Sequence, residues 1–277
     1  MALMEFDEAP SISMVSLALK RSRGLKPSIP RIEASLRGVV AEDLATYQRI
    51  CGFPETPWLP LPLPQVIAGP MHMAILGHAE FPLSPMGIVH VSNGIRQLRP
   101  IAASEALDLR AWVEGHRSAR TGVEFDLVTE ARSGVEKVWS ARTTVLSRAV
   151  KGDGKKRERA VQPRIEVARS AAWRVPEDMG RRYGRVAGDR NPIHLYPLTA
   201  KLFGFRRHIV HGMWSLARCF AELQDDLPGG PIELEVAFRR PVFLPSTVFF
   251  ESGSVDDGIG FRLFDGEGKD HLVGSVS

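Results

Sequence analysis

The sequence predicts an α+β protein made of two similar halves, each a long helix wrapped by an antiparallel sheet. Three observations lead there. First, a frame recurs. Tyr47-Gln48-Arg49-Ile50-Cys51-Gly52 parallels the segment from Tyr183 to Gly188, Ala68-Gly69-Pro70-Met71 parallels His211-Gly212-Met213, and Ile95-Arg96-Gln97-Leu98-Arg99-Pro100 parallels Val236-Ala237-Phe238-Arg239-Arg240-Pro241. Second, both copies continue into segments with the two-residue alternation of strands. Third, a polar, charged stretch with Gly152 and Gly154 separates the copies, as a domain boundary would. The chain therefore divides into an extension over residues 1–30, a first half over 31–148, a basic linker over 149–165 and a second half over 166–277.

Within the first half the apolar run Met73–His78 predicts the helix, with Pro70 just inside its start, where the missing N–H costs least. Strands follow at Ala106–Val113, Gly122–Thr129 and Lys137–Leu146. The second half opens with a polar-apolar segment ending at Gly188, then a loop. A short helix follows near Leu198–Phe203, then a turn at His211-Gly212 and a longer helix over Met213–Leu223. Strands are predicted at Ile232–Phe238, Thr247–Ser254, Gly260–Phe264 and Leu272–Ser277.

The 277 residues are 44% hydrophobic and 25% charged, with 25 Gly and 20 Pro, an ordinary globular composition rich in turns. Cys51 and Cys219 have no metal-ligand spacing, which fits a reducing cytoplasm. The first ten residues carry Glu5, Asp7 and Glu8 where a signal peptide needs positive charge. No apolar run reaches the roughly 18 residues of a membrane span. The net charge of +4 is concentrated in Lys151, Lys155, Lys156, Arg157, Arg159 and Arg164. No aromatic residues interleave them, so a solvated linker is expected rather than a nucleic-acid surface.

Chemistry concentrates in Gly188-Asp189-Arg190-Asn191-Pro192-Ile193-His194, which sets a carboxylate and an imidazole on a segment that Gly and Pro keep from continuing as a helix. Asp189 could serve only as a helix cap, and the whole segment only as a turn. The first half argues otherwise, because it keeps the frame but has Phe53 at the Asp189 position and, in a looser alignment, Trp58 at the His194 position. Adding water next to a thioester carbonyl needs a base, an acid and a donor for the enolate oxygen. Asp189 and His194 supply the first two, and the Gly212 N–H at a helix start supplies the third.

Tyr183 to His194, followed by Ala200-Lys201-Leu202-Phe203-Gly204-Phe205 and Val210-His211-Gly212-Met213, resembles the hydratase 2 motif of the MaoC-like, (R)-specific enoyl-CoA hydratase family. The repeat makes the chain similar to that family's double-hotdog members, in which two hotdog repeats form a pseudo-dimer. The resemblance is densest over residues 179–247 and does not reach the first thirty or so.

The resemblance implies reversible hydration of trans-2-enoyl thioesters, with one water held between Asp189 and His194 as general acid and base. It also implies an oxyanion donor at Gly212, no metal, and no cofactor beyond a CoA or acyl carrier protein thioester. Asn191 is expected to orient the loop or contact substrate. His90, Val91, Arg120 and Phe238 fall where family members meet the thioester ligand, Val91 replacing a glycine there. His211 is expected to be structural, and His208 to lie on the surface. One active site per chain is implied, with the first half shaping an acyl pocket open to medium and long chains. Exposed sheet edges leave room for a homodimer. Two other functions fit the fold: a non-catalytic acyl-binding or assembly subunit, and a hotdog thioesterase. For the latter the predicted long helix offers only Glu222.

Overall fold

The computed structural model describes residues 2–12, 14–22, 29–152, 165–227 and 230–277. Most of the basic linker, residues 153–164, lies outside them, including every linker cation named above except Lys151. The first half contains β1 (Ala2–Phe6), α1 (Met14–Leu19), β2 (Ile32–Val39), α2 (Leu44–Cys51), α3 (Leu63–Ile67), α4 (Gly69–Gly77), β3 (Ile88–Gln97), β4 (Leu107–Ala119), β5 (Gly122–Ser133) and β6 (Glu136–Ser147). The second contains β7 (Glu166–Val175), α5 (Met179–Ala187), a 3-10 turn at Pro192–His194, α6 (Pro197–Leu202), α7 (Gly212–Ala221), β8 (Ile232–Phe238), β9 (Ser246–Val255), β10 (Gly258–Phe264) and β11 (Asp270–Val276).

The strands form one sheet in the order β1-β2-β4-β5-β6-β3-β8-β11-β10-β9-β7. Read outward from its centre, this is the same arrangement twice: β3-β6-β5-β4-β2 on one side and β8-β11-β10-β9-β7 on the other. This is a double hotdog. Its halves join through the antiparallel β3–β8 ladder, Ser92 opposite Ala237 and Gln97 opposite Ile232. Helices α2 and α5 meet at the join, where the repeat-related Tyr47 and Tyr183 rings lie 6.2 Å apart. Each of these helices ends on a glycine in the left-handed region, Gly52 at φ 80° and Gly188 at φ 69°. That conformation favours glycine and stops the helix.

Helix α7 buries Trp214, Leu216, Ala217, Cys219 and Phe220, a helical stripe with the wide apolar face of a core helix. The Trp214 indole donates to the Ile50 carbonyl at 3.0 Å, fixing α7 to α2 of the other half.

Three differences from the sequence expectations have physical causes. Strands β4 to β6 run longer than alternation alone predicts. Their charged residues stay in the ladder by pairing across strands, as Arg117 does with Glu124 and Asp126 at 3.1 Å each. The extension supplies β1, which pairs in parallel with β2 at the sheet edge. It also supplies Lys20, whose ammonium donates to the Leu76 and His78 carbonyls at the end of α4, 2.7 Å each. Finally, His208 is fully buried rather than on the surface, its Nε2 donating to the Glu177 carbonyl at 2.8 Å.

Candidate active site

The Asp189–His194 loop is drawn against α5 by two glycines. A Cβ on Gly180 would stand 2.0 Å from the His194 carbonyl oxygen, and one on Gly184 would stand 2.5 Å from the Asp189 carbonyl oxygen. Both obstacles are backbone, which cannot rotate away. Gly180→Ala should therefore destabilise the fold by about 2–3 kcal/mol, although alanine favours helices by about 1 kcal/mol. Urea unfolding measures this, and an unchanged midpoint would contradict the close approach. The loop also organises itself: the Asn191 N–H donates to Asp189 Oδ1 at 3.0 Å, and Asn191 Oδ1 accepts from the Ile193 N–H at 3.3 Å. Asn191 is thus the cap of the 3-10 turn and an orienting residue. Asp189 is not the cap.

His194 is buried, and its Nδ1–H donates to the Ile209 carbonyl at 2.8 Å. That bond fixes the tautomer and leaves Nε2 with a free lone pair. His211, expected to be structural, stacks on it with ring centroids 3.7 Å apart. The His211 Nε2–H donates to the Asp189 carbonyl at 3.0 Å and lies 3.6 Å from Oδ2 of the same residue. The sequence signal for His211 is its place in Val210-His211-Gly212. One polar atom from each of Asp189, His194 and His211 lies within 4.8 Å of the others. A single water hydrogen-bonding two partners at a tetrahedral angle spans about 4.6 Å, so the pair can share one.

The three are ligand types that bind transition metals. With Nε2–H donating to the Asp189 carbonyl, the His211 lone pair stands on the buried Nδ1.

The electrostatics divide the roles. Burial pushes the His194 imidazole below its ordinary value, only partly opposed by Asp189 and the Ile209 carbonyl. Burial and the neighbouring His194 push His211 down to about 3. For Asp189 burial acts against ionisation, but His211, His194 and the Asn191 N–H together outweigh it and hold the carboxyl below 3.8. At neutral pH the site thus holds a half-exposed carboxylate beside two uncharged imidazoles.

Gly212 begins α7, with His211 as the extended residue before it, so its N–H is among those a helix start leaves without an internal acceptor. A methyl there would stand 3.1 Å from the Phe238 ring, which in turn lies 4.5 Å from the His90 ring across the β3–β8 join. His90, Phe238 and Gly212 are thereby contiguous. Val91 is the extra residue of a bulge in β3 between His90 and Ser92, a feature that re-aims the strand beside a site. Arg120 is exposed in the β4–β5 turn, at the sheet end that His90 shares but two strands away. Glu222 ends α7, ten residues from Gly212, and is ion-paired with Arg218. It does not face the acid–base pair. The first half is less apolar than its Phe53 and Trp58 imply. It buries His72, which is bonded to Thr129 at 2.7 Å, and Gln65, bonded to Thr143 at 2.8 Å. Among the described residues no helix is long and apolar enough to cross a membrane.

A double hotdog with a carboxylate, two neutral imidazoles and a helix N-terminus at the join defines a class of hotdog lyase-like proteins. Residues 154–274 match the model of the MaoC-like domain. The chain is 32% identical over 270 residues to 3-hydroxyacyl-thioester dehydratase X of Mycobacterium tuberculosis, covering 93% of this chain and 95% of that protein. It superposes on the crystal structure of HtdX from the same organism with a TM-score of 0.76 at 31% identity, covering 88% of this chain and 98% of that one. A MaoC-like dehydratase from Phytophthora capsici shares the fold, with a TM-score of 0.70 at 20% identity over 90% of this chain and 95% of that one. The chain belongs to the MaoC-like dehydratase family.

Proposed function

We propose that the protein is a hydro-lyase that interconverts trans-2-enoyl thioesters and (R)-3-hydroxyacyl thioesters in fatty acid metabolism. The observation that carries this reading is the placement of the Asp189 carboxylate and the His194 imidazole within one water's span of each other, beside the Gly212 helix start. The similarity to a protein named as a 3-hydroxyacyl-thioester dehydratase supports it.

In the hydration direction a water donates one hydrogen to Asp189 and one to His194 Nε2. As its oxygen bonds C3, His194 takes one proton, and the electrons of the double bond shift onto the thioester oxygen as an enolate. The Gly212 N–H donates to that oxygen, a contribution of about 3–4 kcal/mol to the barrier for a well-placed donor. His194 then returns its proton to C2 on the same face, so the elements of one water add and the site is restored. Asp189 stays ionised throughout and stabilises the transient imidazolium. Dehydration runs these steps in reverse.

The remaining roles complete the reading. His90, Val91 and Phe238 border the acyl thioester, Asn191 holds the loop, and Arg120 serves the carrier's phosphate. The carrier is CoA or an acyl carrier protein, no other cofactor takes part, the first half accommodates medium to long acyl chains, and the setting is cytoplasmic. The expected result is loss of enoyl absorbance when crotonyl-CoA or decenoyl-CoA is incubated with the protein, giving an (R)-3-hydroxyacyl product. An (S) product, or no turnover of either substrate, would overturn the proposal.

A further inference from the structure

The repeat provides a second cleft at the position related to the catalytic one. Around the chemistry stand Asp189, His194 and Phe238, with the Val91 bulge in the neighbouring strand. Their counterparts in the other copy of the frame are Phe53, Trp58, Gln97 and Ile232. All four line a single cleft of about 390 Å³. It lies at the far end of the β3–β8 ladder, where Gln97 pairs with Ile232, and Phe220 and Gln224 close it from the C-terminal end of α7. This copy of the frame thus lacks the acid and base and has a hollow in their place. Volumes of this order are those of small-molecule sites.

The lining states what the cleft can hold. It contains aromatic, aliphatic and proline side chains with three glutamines and a threonine, and no Lys, Arg, Asp, Glu or His. An ionic ligand would be desolvated there without a partner. The Gln48 amide is spent on holding the wall, donating to the Thr56 carbonyl at 2.9 Å. Gln97 is different: it is 7% exposed, and its Oε1 is buried without a donor. An amide left without a partner on the wall can turn to meet a polar group that enters the cleft. Trp58, half exposed at the rim, offers a flat apolar surface.

We infer that this cleft is a second, non-catalytic binding site for an uncharged acyl-thioester arm, its acyl body against Phe53 and Trp58 and its amide bonded to the Gln97 side-chain amide. The name of the ligand rests on the proposed function, since the related cleft is the one that takes the thioester. With phenyl and indole groups where the carboxylate and imidazole stand in the other copy, an enoyl group bound here meets no base and no acid. It is held and not hydrated. Any phosphate of the carrier stays outside, because the lining has no cation for it.

The test titrates the intact chain with S-hexanoyl-N-acetylcysteamine by calorimetry. This saturated thioester has one amide N–H and no phosphate, and it cannot be hydrated. Two equivalents per chain are expected. Gln97→Met, which keeps the side-chain volume and removes the amide, should weaken one equivalent about tenfold. Trp58→Ala should weaken the same one, and because this side chain is half in solvent its loss leaves the core intact, so it carries the test if the Met variant folds poorly. A single equivalent in the wild type, or two undiminished equivalents in both variants, would overturn the inference. The hydration assay is a separate readout. Failure of hydration with two equivalents bound would remove the catalytic reading and keep the cleft, whereas robust hydration with one equivalent would do the reverse.

Discussion

His194→Ala is expected to lower kcat for enoyl-thioester hydration by about 10³–10⁴-fold with little change in KM. A positioned acid–base group contributes about 10²–10⁴, and here the same imidazole both takes and returns the proton. Asp189→Asn should cost about 10²–10³, because the amide can still accept from the Asn191 N–H and keep the loop, but it cannot stabilise the imidazolium. The pH profile separates the two roles. His194 works as the neutral base, so the rate falls as pH drops through its value, which burial holds below the ordinary 6.5. The Asp189 charge acts to raise that value. Removing the charge should therefore move the acid limb to still lower pH while the plateau drops. Profiles of kcat/KM for both proteins between pH 4 and 8 measure this. A limb that moved to higher pH in Asp189→Asn would contradict the assignment of His194 as base. Equal wild-type turnover in both variants would remove the site altogether.

What the sequence made legible was whatever is local along the chain. Asp189 and His194 lie on one loop, and the Gly52/Gly188 stops and Arg-Pro strand ends repeat in register, so the frame and the missing pair in the first half can be read directly. Contacts that close through space could not be. His211 reaches the pair only because Gly184 lets α5 approach; a Cβ there would stand 2.5 Å from the Asp189 carbonyl and 3.4 Å from the His211 ring. His208 is buried by a carbonyl 31 residues away in sequence, which no spacing reveals. The edge strand β1 is five residues long with alternate positions half-buried, a pattern too short to stand out. Polar residues inside apolar runs, such as His72 in α4, were also hidden: the run predicts a helix whether or not one of its members hydrogen-bonds inside the core.

The phenyl and indole that replace the acid–base pair in the first half show that the hotdog frame does not need those groups to fold. The converse cost is visible in the second half, where two stacked histidines are kept uncharged by burial. Such a site stores a dependence of stability on pH, and the first half adds to it. His72 and His90 are both pushed by burial down to about 4, His90 further by its neighbour His72.

The sign follows from proton counting. Between pH 6.5 and 4 these two imidazoles are protonated in the unfolded chain and neutral in the folded one, so the unfolded state binds more protons and stability falls as pH falls. Each shift is worth about 2 kcal/mol by pH 5 and about 3 at its limit near pH 4. Together His72 and His90 should remove about 4 kcal/mol between pH 7 and pH 5, with His194 and His211 adding in the same direction. That is a large part of the 5–15 kcal/mol that typically separates folded from unfolded states. Glu105, held by Arg99 down to about 2, loses its stabilising charge mainly below this window, and Glu235, pushed up by burial, acts in the opposite direction to the histidines. Urea unfolding at pH 7, 6 and 5 should show the midpoint falling steeply. His72→Gln, which keeps a hydrogen-bonding partner for Thr129 without a titrating group, should recover about 2 kcal/mol of the loss at pH 5. A midpoint that stays level from pH 7 to 5 would mean that these histidines are not held neutral in the folded protein, and the uncharged imidazole on which the catalytic step depends would then lose its physical basis.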